Sequence, residues 1–279
     1  MTILERRLNA VPAFRMARTI RNLQRMQPKR ILLANSKGGS GKSTLATNLA
    51  CSYAHQGIAT ALMDHDPQGS SSQWLSLRPA NLPPIHGVDA FRKNHGMMTS
   101  HWFNKMPREI ERIIIDTPAG LSGHALKDRI KESDLIIVPV LPSPIDIHAV
   151  GQFIKDIFLS GCFQGSGKHL LVMANRVKEN SQMFEKLDNF LNSLNLDKIT
   201  FIRDTANYVR TAEHGLGVYD LPSSRNAKDH DQWDMILQWM EDRLGGDHCL
   251  QPRASQAVTP VANTESGQQF SLILNNVYT

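Results

Sequence analysis

Eight consecutive residues, KGGSGKST (Lys37–Thr44), combine glycines, lysines and hydroxyls in a pattern suited to holding a phosphate chain. Gly38, Gly39 and Gly41 let backbone N–H groups turn toward an anion without a Cβ in the way. Lys42 reaches the β- and γ-phosphates, and Ser43 offers its hydroxyl to Mg²⁺. A helix that begins here adds the positive end of its dipole. Lys37 is a second lysine at the mouth of the same loop, five positions before Lys42.

Phosphoryl transfer also needs carboxylates to hold the metal and a group to orient the attacking water. "MDHDPQGSS" (63–71) carries Asp64 and Asp66, and "IIIDTPAG" (113–120) carries Asp116. Asp116 ends an apolar run, where a carboxylate can hold Mg²⁺ through water. Asp66 is the expected water-orienting group, because its loop can move over the γ-phosphate. An aspartate at a strand end alone would signify a turn; beside the phosphate loop it signifies a metal site.

The elements around these residues alternate. Arg30–Asn35 is a short apolar run entering the glycine-rich stretch, and Ser43–His55 follows as a helix with Leu45, Leu49 and Tyr53 at fourfold spacing. "IATALMD" (58–64), "ERIIIDTPAG" (111–120), "SDLIIVPVLPSP" (133–144), "HLLVMANRV" (169–177) and "KITFIRD" (198–204) carry five further strands. Helical patterns cover Ile145–Leu159 and Gln182–Leu194, and Asn226–Leu244 is a closing helix with Trp233, Ile236, Leu237, Met240 and Leu244 on one stripe. This alternation predicts an α/β fold: a doubly wound, mostly parallel sheet with helices on both faces. Ligands of such sheets bind at the C-terminal ends of the strands.

Composition narrows the class. The 279 residues are 41% hydrophobic, enough for a core. No apolar run is long enough for a membrane-spanning helix, and the N-terminus lacks a secretory pattern. Three scattered cysteines, Cys51, Cys162 and Cys249, fit neither a disulfide framework nor a zinc site, so a cytoplasmic setting is expected. The net charge of +5 is uneven: residues 1–30 hold eight Lys and Arg against Glu5 alone. The expected organisation is a basic arm over 1–29, a nucleotide-binding domain over 30–246 and a disordered tail over 247–279.

KGGSGKST, DHDPQG, IIIDTPAG and IIVPV, in this order, resemble the ParA/MinD family of P-loop ATPases with a deviant Walker A motif, over about Arg30–Leu244. The resemblance implies a P-loop NTPase that binds ATP and Mg²⁺ and closes a homodimer on ATP. It makes Lys37 the signature lysine, which reaches across the dimer to the phosphates bound by the other subunit. A cation supplied in trans would tie hydrolysis to dimerisation. The implied catalytic set is Lys37, Lys42 and Asp66. The nucleotide set is Lys37, Gly38, Gly39, Ser40, Gly41, Lys42, Ser43, Thr44 and Asn175, the last matching an asparagine that contacts adenine. The metal set is Ser43, Asp66 and Asp116. "YVRTAEHGLGVYDL" (208–221) maps a DNA-backbone contact onto Arg210.

Within the family, "QQFSLILNNVYT" at the C-terminus has no Lys or Arg, unlike a MinD-type membrane anchor. "DTANYVRTAEHGLGVYDLPSS" is most similar to orphan ParA-type proteins that position cargo such as carboxysomes or chemotaxis arrays. The expectation is a weak ATPase, stimulated by DNA and by a ParB-like activator, that binds nonspecific DNA on the nucleoid. The alternatives are a MinD-type membrane-surface ATPase and a nucleotide-binding regulator of an enzyme complex such as cellulose synthase. The arm keeps the membrane alternative open, since Met16, Ile20, Leu23 and Met26 share one helical face and Arg15, Arg18, Arg21 and Arg25 the other.

Overall fold

A computed structural model describes residues 27–91, 106–163, 165–194 and 201–245. The basic arm, but for its last positions, and the tail over 247–279 lie outside the described residues.

The apolar runs form strands β1 (Lys29–Leu33), β2 (Thr60–Asp64), β3 (His86–Asp89), β4 (Arg112–Asp116), β5 (Leu135–Val140), β6 (His169–Val177) and β7 (Phe201–Arg203). They pair in the order β3-β2-β4-β1-β5-β6-β7, and every pairing is parallel. The first half of "KITFIRD" lies outside the described residues; its second half is β7. The helices are α1 (Lys42–His55), α2 (Ser70–Leu77), α3 (Gly123–Glu132), α4 (Pro144–Leu159), α5 (Gln182–Ser193), α6 (Asn207–Ala212) and α7 (Ser223–Leu244), with a 3₁₀ turn at Val218–Asp220.

Alternation along the strands divides the core. Ile31 and Leu33 of β1 face one side, with Leu45 and Leu49 of α1, Trp74 of α2 and Trp233, Ile236, Leu237 and Met240 of α7. Leu32 faces the other, with Leu126 and Ile130 of α3, Val150 and Phe153 of α4 and Leu187 of α5. Strands buried on both faces explain why the runs read as continuously apolar rather than alternating.

Strand order reverses around β1: the chain steps to β4, β2 and β3 on one side and to β5, β6 and β7 on the other. A crevice opens at such a switch point, outside the carboxyl ends of the strands. The loops after β1, β2, β4 and β6 converge there. The α7 stripe is wholly buried as its spacing predicts, but the helix begins earlier, at Ser223, and breaks at Asn226 (φ −138°, ψ 20°). The break lets Asn226 Nδ2 donate to Val218 O (3.1 Å) and its Oδ1 accept from Asn207 Nδ2 (2.7 Å).

Candidate nucleotide site

The loop Lys37–Thr44 runs from β1 into α1. Gly39 (φ 74°) and Gly41 (φ 95°) take left-handed conformations open to glycine, and Gly41 caps α1 without a side-chain bond. The first N–H groups of α1 are thus aimed at the loop's interior. Asn35 anchors the loop's base: its Nδ2 donates to Pro139 O (2.6 Å) and its Oδ1 accepts from Lys37 N (3.0 Å). Thr117 Oγ1 donates to Leu33 O (2.7 Å), tying the loop after β4 to the end of β1.

Lys42 is buried, and its Nζ donates to Lys37 O (3.2 Å). Burial lowers the pKa of this ammonium, while Asp116 and Asp66 pull it back up. A phosphate chain would replace that carbonyl with a full counter-charge. Lys37 is half-buried, and among the described residues its ammonium makes no ion pair. Its backbone carbonyl also accepts from Ser40 Oγ (3.4 Å).

Asp64 and Asp116 face each other at the ends of β2 and β4. Asp64 closes its own loop: Oδ1 accepts from Asp66 N and Oδ2 from Ser72 N, each at 2.9 Å. Burial raises its pKa against the pull of those N–H groups. Asp66 is half-buried; its Oδ1 accepts from Gln68 N (2.9 Å) and its carbonyl from Gly69 N (2.8 Å). Asp116 is wholly buried, with Oδ2 accepting from Ser71 Oγ (2.7 Å) and Oδ1 making no hydrogen bond among the described residues.

Burial pushes the Asp116 carboxyl up to about 6; the nearby Ser43 and Ser71 hydroxyls oppose the rise, Asp64 adds to it and Lys42 opposes it. A buried carboxylate with one orphaned oxygen and a serine hydroxyl beside it offer oxygen ligands for a hard divalent cation. Ser43 and Asp116 would hold Mg²⁺ here, with Asp66 on the neighbouring loop.

Asn175, at the end of β6, is buried against the phosphate loop. Its Nδ2 donates to Ser40 O (2.9 Å) and its Oδ1 accepts from Arg176 N (3.0 Å). A Cβ on Gly41 would lie 2.1 Å from that Nδ2, so loop and asparagine are packed without slack. Its amide thus braces the loop, as a strand-end asparagine does. Asn175 also lines a cavity of about 630 Å³ with Gly39, Gly41, Thr44, Arg176, Asp204 and Tyr208, large enough for a nucleoside.

Arg210 lies exposed on α6, whose Val209 and Ala212 border the same cavity.

The motifs did not single out Ser71 or Asp220. Cys51, His55 and Asp220 bring ligating atoms within 4.8 Å of one another, but Arg78 spans both Asp220 oxygens (2.8 and 3.2 Å). With His55 Nε2 at 2.7 Å and Gly217 N donating at 2.8 Å, that carboxylate is already satisfied and serves the fold.

Residues 31–218 match the model of the CobQ/CobB/MinD/ParA nucleotide binding domain. The chain belongs to this family. Maintenance of carboxysome distribution protein A of Halothiobacillus neapolitanus is 26% identical over 220 residues, covering 74% of this chain and 94% of that one. Chromosome-partitioning ATPase Soj of Thermus thermophilus is 48% identical over 130 residues, 45% of this chain and 52% of Soj. Among solved structures, a Cyanothece McdA–ATP complex superposes with a TM-score of 0.59 at 16% identity, covering 81% of this chain and 99% of that one. The seven-stranded parallel architecture is therefore the P-loop NTPase fold that the sequence pattern implies.

Proposed function

We propose that the chain is a ParA-type switch ATPase that binds ATP with Mg²⁺, closes a homodimer and positions a cargo on nonspecific DNA. The observation that carries this reading is the loop itself: Lys42 buried beside Asp116 and Asp66, with the Lys37 ammonium at the mouth making no ion pair among the described residues. In this reading the loop amides and Lys42 bind the phosphates and Ser43 and Asp116 hold the metal. When bound, Mg²⁺ neutralises charge on the β- and γ-oxygens. Asp66 orients the attacking water and accepts its proton. Lys37 of each subunit completes the partner's site. Asn175 keeps the loop in shape at the edge of the base subsite. A ParB-like activator triggers hydrolysis and release, and the protein resides on the cytoplasmic nucleoid.

The similarity to carboxysome distribution protein A along most of both chains supports a protein-organelle cargo.

The test is co-sedimentation with DNA and with anionic liposomes, each with ATP, ADP and no nucleotide. DNA binding only with ATP, abolished in Arg210→Glu without loss of nucleotide affinity, is the expected result. Nonspecific affinity comes mainly from phosphate neutralisation, so Arg210→Ala should flatten the salt dependence by about one unit of slope per lost contact. ATP-dependent binding to liposomes but not to DNA would replace this reading with the membrane one.

A further inference from the structure

We propose that Ser71 is a positioning residue for the metal-binding carboxylate, fixing which oxygen of Asp116 faces the cation. The inference rests on the nucleotide-site reading above and adds to it a residue to which that reading gives no role.

Ser71 is the second residue of α2 and is completely buried. Its Oγ donates to Asp116 Oδ2 at 2.7 Å. The last torsion of an aspartate side chain is broad and nearly two-fold, so burial alone leaves the plane of the carboxylate poorly defined. One hydrogen bond to one oxygen settles it. Here that bond takes Oδ2 and leaves Oδ1 buried, with the Ser43 hydroxyl near the carboxylate but no hydrogen bond of normal geometry to Oδ1 among the described residues. A serine that served packing alone would not explain why the second oxygen stays unsatisfied, since native folds pair nearly all such atoms. An oxygen reserved for a cation does explain it.

The placement of Ser71 has a second consequence. The loop carrying Asp66 is closed on itself by backbone bonds to Asp64 from Asp66 N and Ser72 N. It reaches β4 through His65 N, which donates to Asp116 O (3.0 Å), and through the Ser71 hydroxyl. Ser71 therefore joins the carboxylate that holds the metal to the segment that carries the water-orienting acid. Groups that orient a ligand without touching the metal commonly change metal affinity by about 10–100-fold when removed.

The experiment measures Mn²⁺ affinity by electron paramagnetic resonance with saturating ADP, and ADP affinity in EDTA, for the wild type, Ser71→Ala, Ser71→Thr and Ser71→Cys. Ser71→Ala should bind Mn²⁺ about tenfold more weakly with metal-free ADP affinity unchanged. Ser71→Thr, which keeps the hydroxyl, should stay close to the wild type. Ser71→Cys keeps the shape with a much weaker donor; it should follow alanine, and it stands in if the alanine variant does not fold. Wild-type Mn²⁺ affinity in Ser71→Ala or Ser71→Cys overturns the proposal, as does an equal loss of metal-free ADP binding. A wild-type protein that binds no Mn²⁺ with ADP overturns the nucleotide-site reading itself, a result distinct from any effect confined to the variants.

Discussion

Single atoms decide the behaviour of this site, and two of its residues can be tested directly. A Cβ at position 41 would fall 2.1 Å from Asn175 Nδ2, at a φ of 95° that L residues avoid. Gly41→Ala should therefore push Asn175 out of its contact with Ser40, cost at least about 1 kcal/mol from backbone strain and abolish nucleotide binding. Thermal unfolding and fluorescent-nucleotide titration read both effects. Asp116 poses the opposite case, a group that the apo fold tolerates at a cost. Its carboxyl is raised from 3.8 to about 6 by burial. The protonated form is therefore the one the fold prefers. The penalty is absent below 3.8, grows as pH rises toward 6 and is complete above it. The shift corresponds to about 3 kcal/mol at most. Asp116→Asn should melt higher than the nucleotide-free wild type at neutral pH, with the difference vanishing near pH 4. It should also lose metal-dependent stabilisation by nucleotide. An asparagine variant no more stable than the wild type would mean that neighbours such as Lys42 already compensate the charge.

At the scale of elements, legibility followed burial. β1, β2, β4, β5 and β6 were readable because both faces of the sheet are covered, which makes their sequences continuously apolar. The α7 stripe was readable because Trp233 through Leu244 contact the core once per turn. β3 was missed: it is an edge strand of four residues, HGVD, two of them exposed. α2 was missed because SSSQWLSL is half serine and buries only Ser71 and Trp74. Its position comes from Asp64 bonding Ser72 N and from Trp74 Nε1 donating to Leu216 O (3.1 Å), neither visible in a periodicity. The phosphate loop and Asp116 were legible from motif and context, but the bracing role of Asn175 needs a distance across 135 residues. Asp220 was invisible for the same reason. It joins α1, the end of α2 and the 3₁₀ turn through His55, Arg78 and Gly217. Burial disfavours its charge, yet the bonds from His55 and Arg78 hold its carboxyl far below the usual range. Its stabilisation is thus present above 3.8 and fades as pH falls toward the folded value, opposite in sign to Asp116. Asp220→Ala strands the Arg78 guanidinium, 5% exposed, and should cost about 3–5 kcal/mol at neutral pH. Urea unfolding at several pH values should show that cost shrinking in strong acid.

At the scale of the whole molecule, the open question is whether one chain contains a complete site. Lys42, Asp66 and Asp116 are gathered in one subunit, while the Lys37 ammonium has no ion-pair partner among the described residues. If Lys37 acts on the partner's nucleotide, each site needs Asp66 from one chain and Lys37 from the other. Lys37→Ala and Asp66→Ala should each be nearly inactive alone, since every site in either homodimer lacks one group. Mixed, they should form heterodimers in which the site on the Lys37→Ala chain keeps its own Asp66 and receives the intact Lys37 of its partner. Random pairing makes half the dimers mixed, each with one working site, so the mixture should recover about a quarter of wild-type turnover. If Lys37 acts on its own nucleotide, both sites of the heterodimer carry a defect and mixing restores nothing. Steady-state ATPase assays over a range of mixing ratios, with and without DNA, separate the two. Recovered turnover should peak at equal amounts of the two chains. A flat, inactive response would place Lys37 within its own subunit's site and remove the link between dimerisation and hydrolysis.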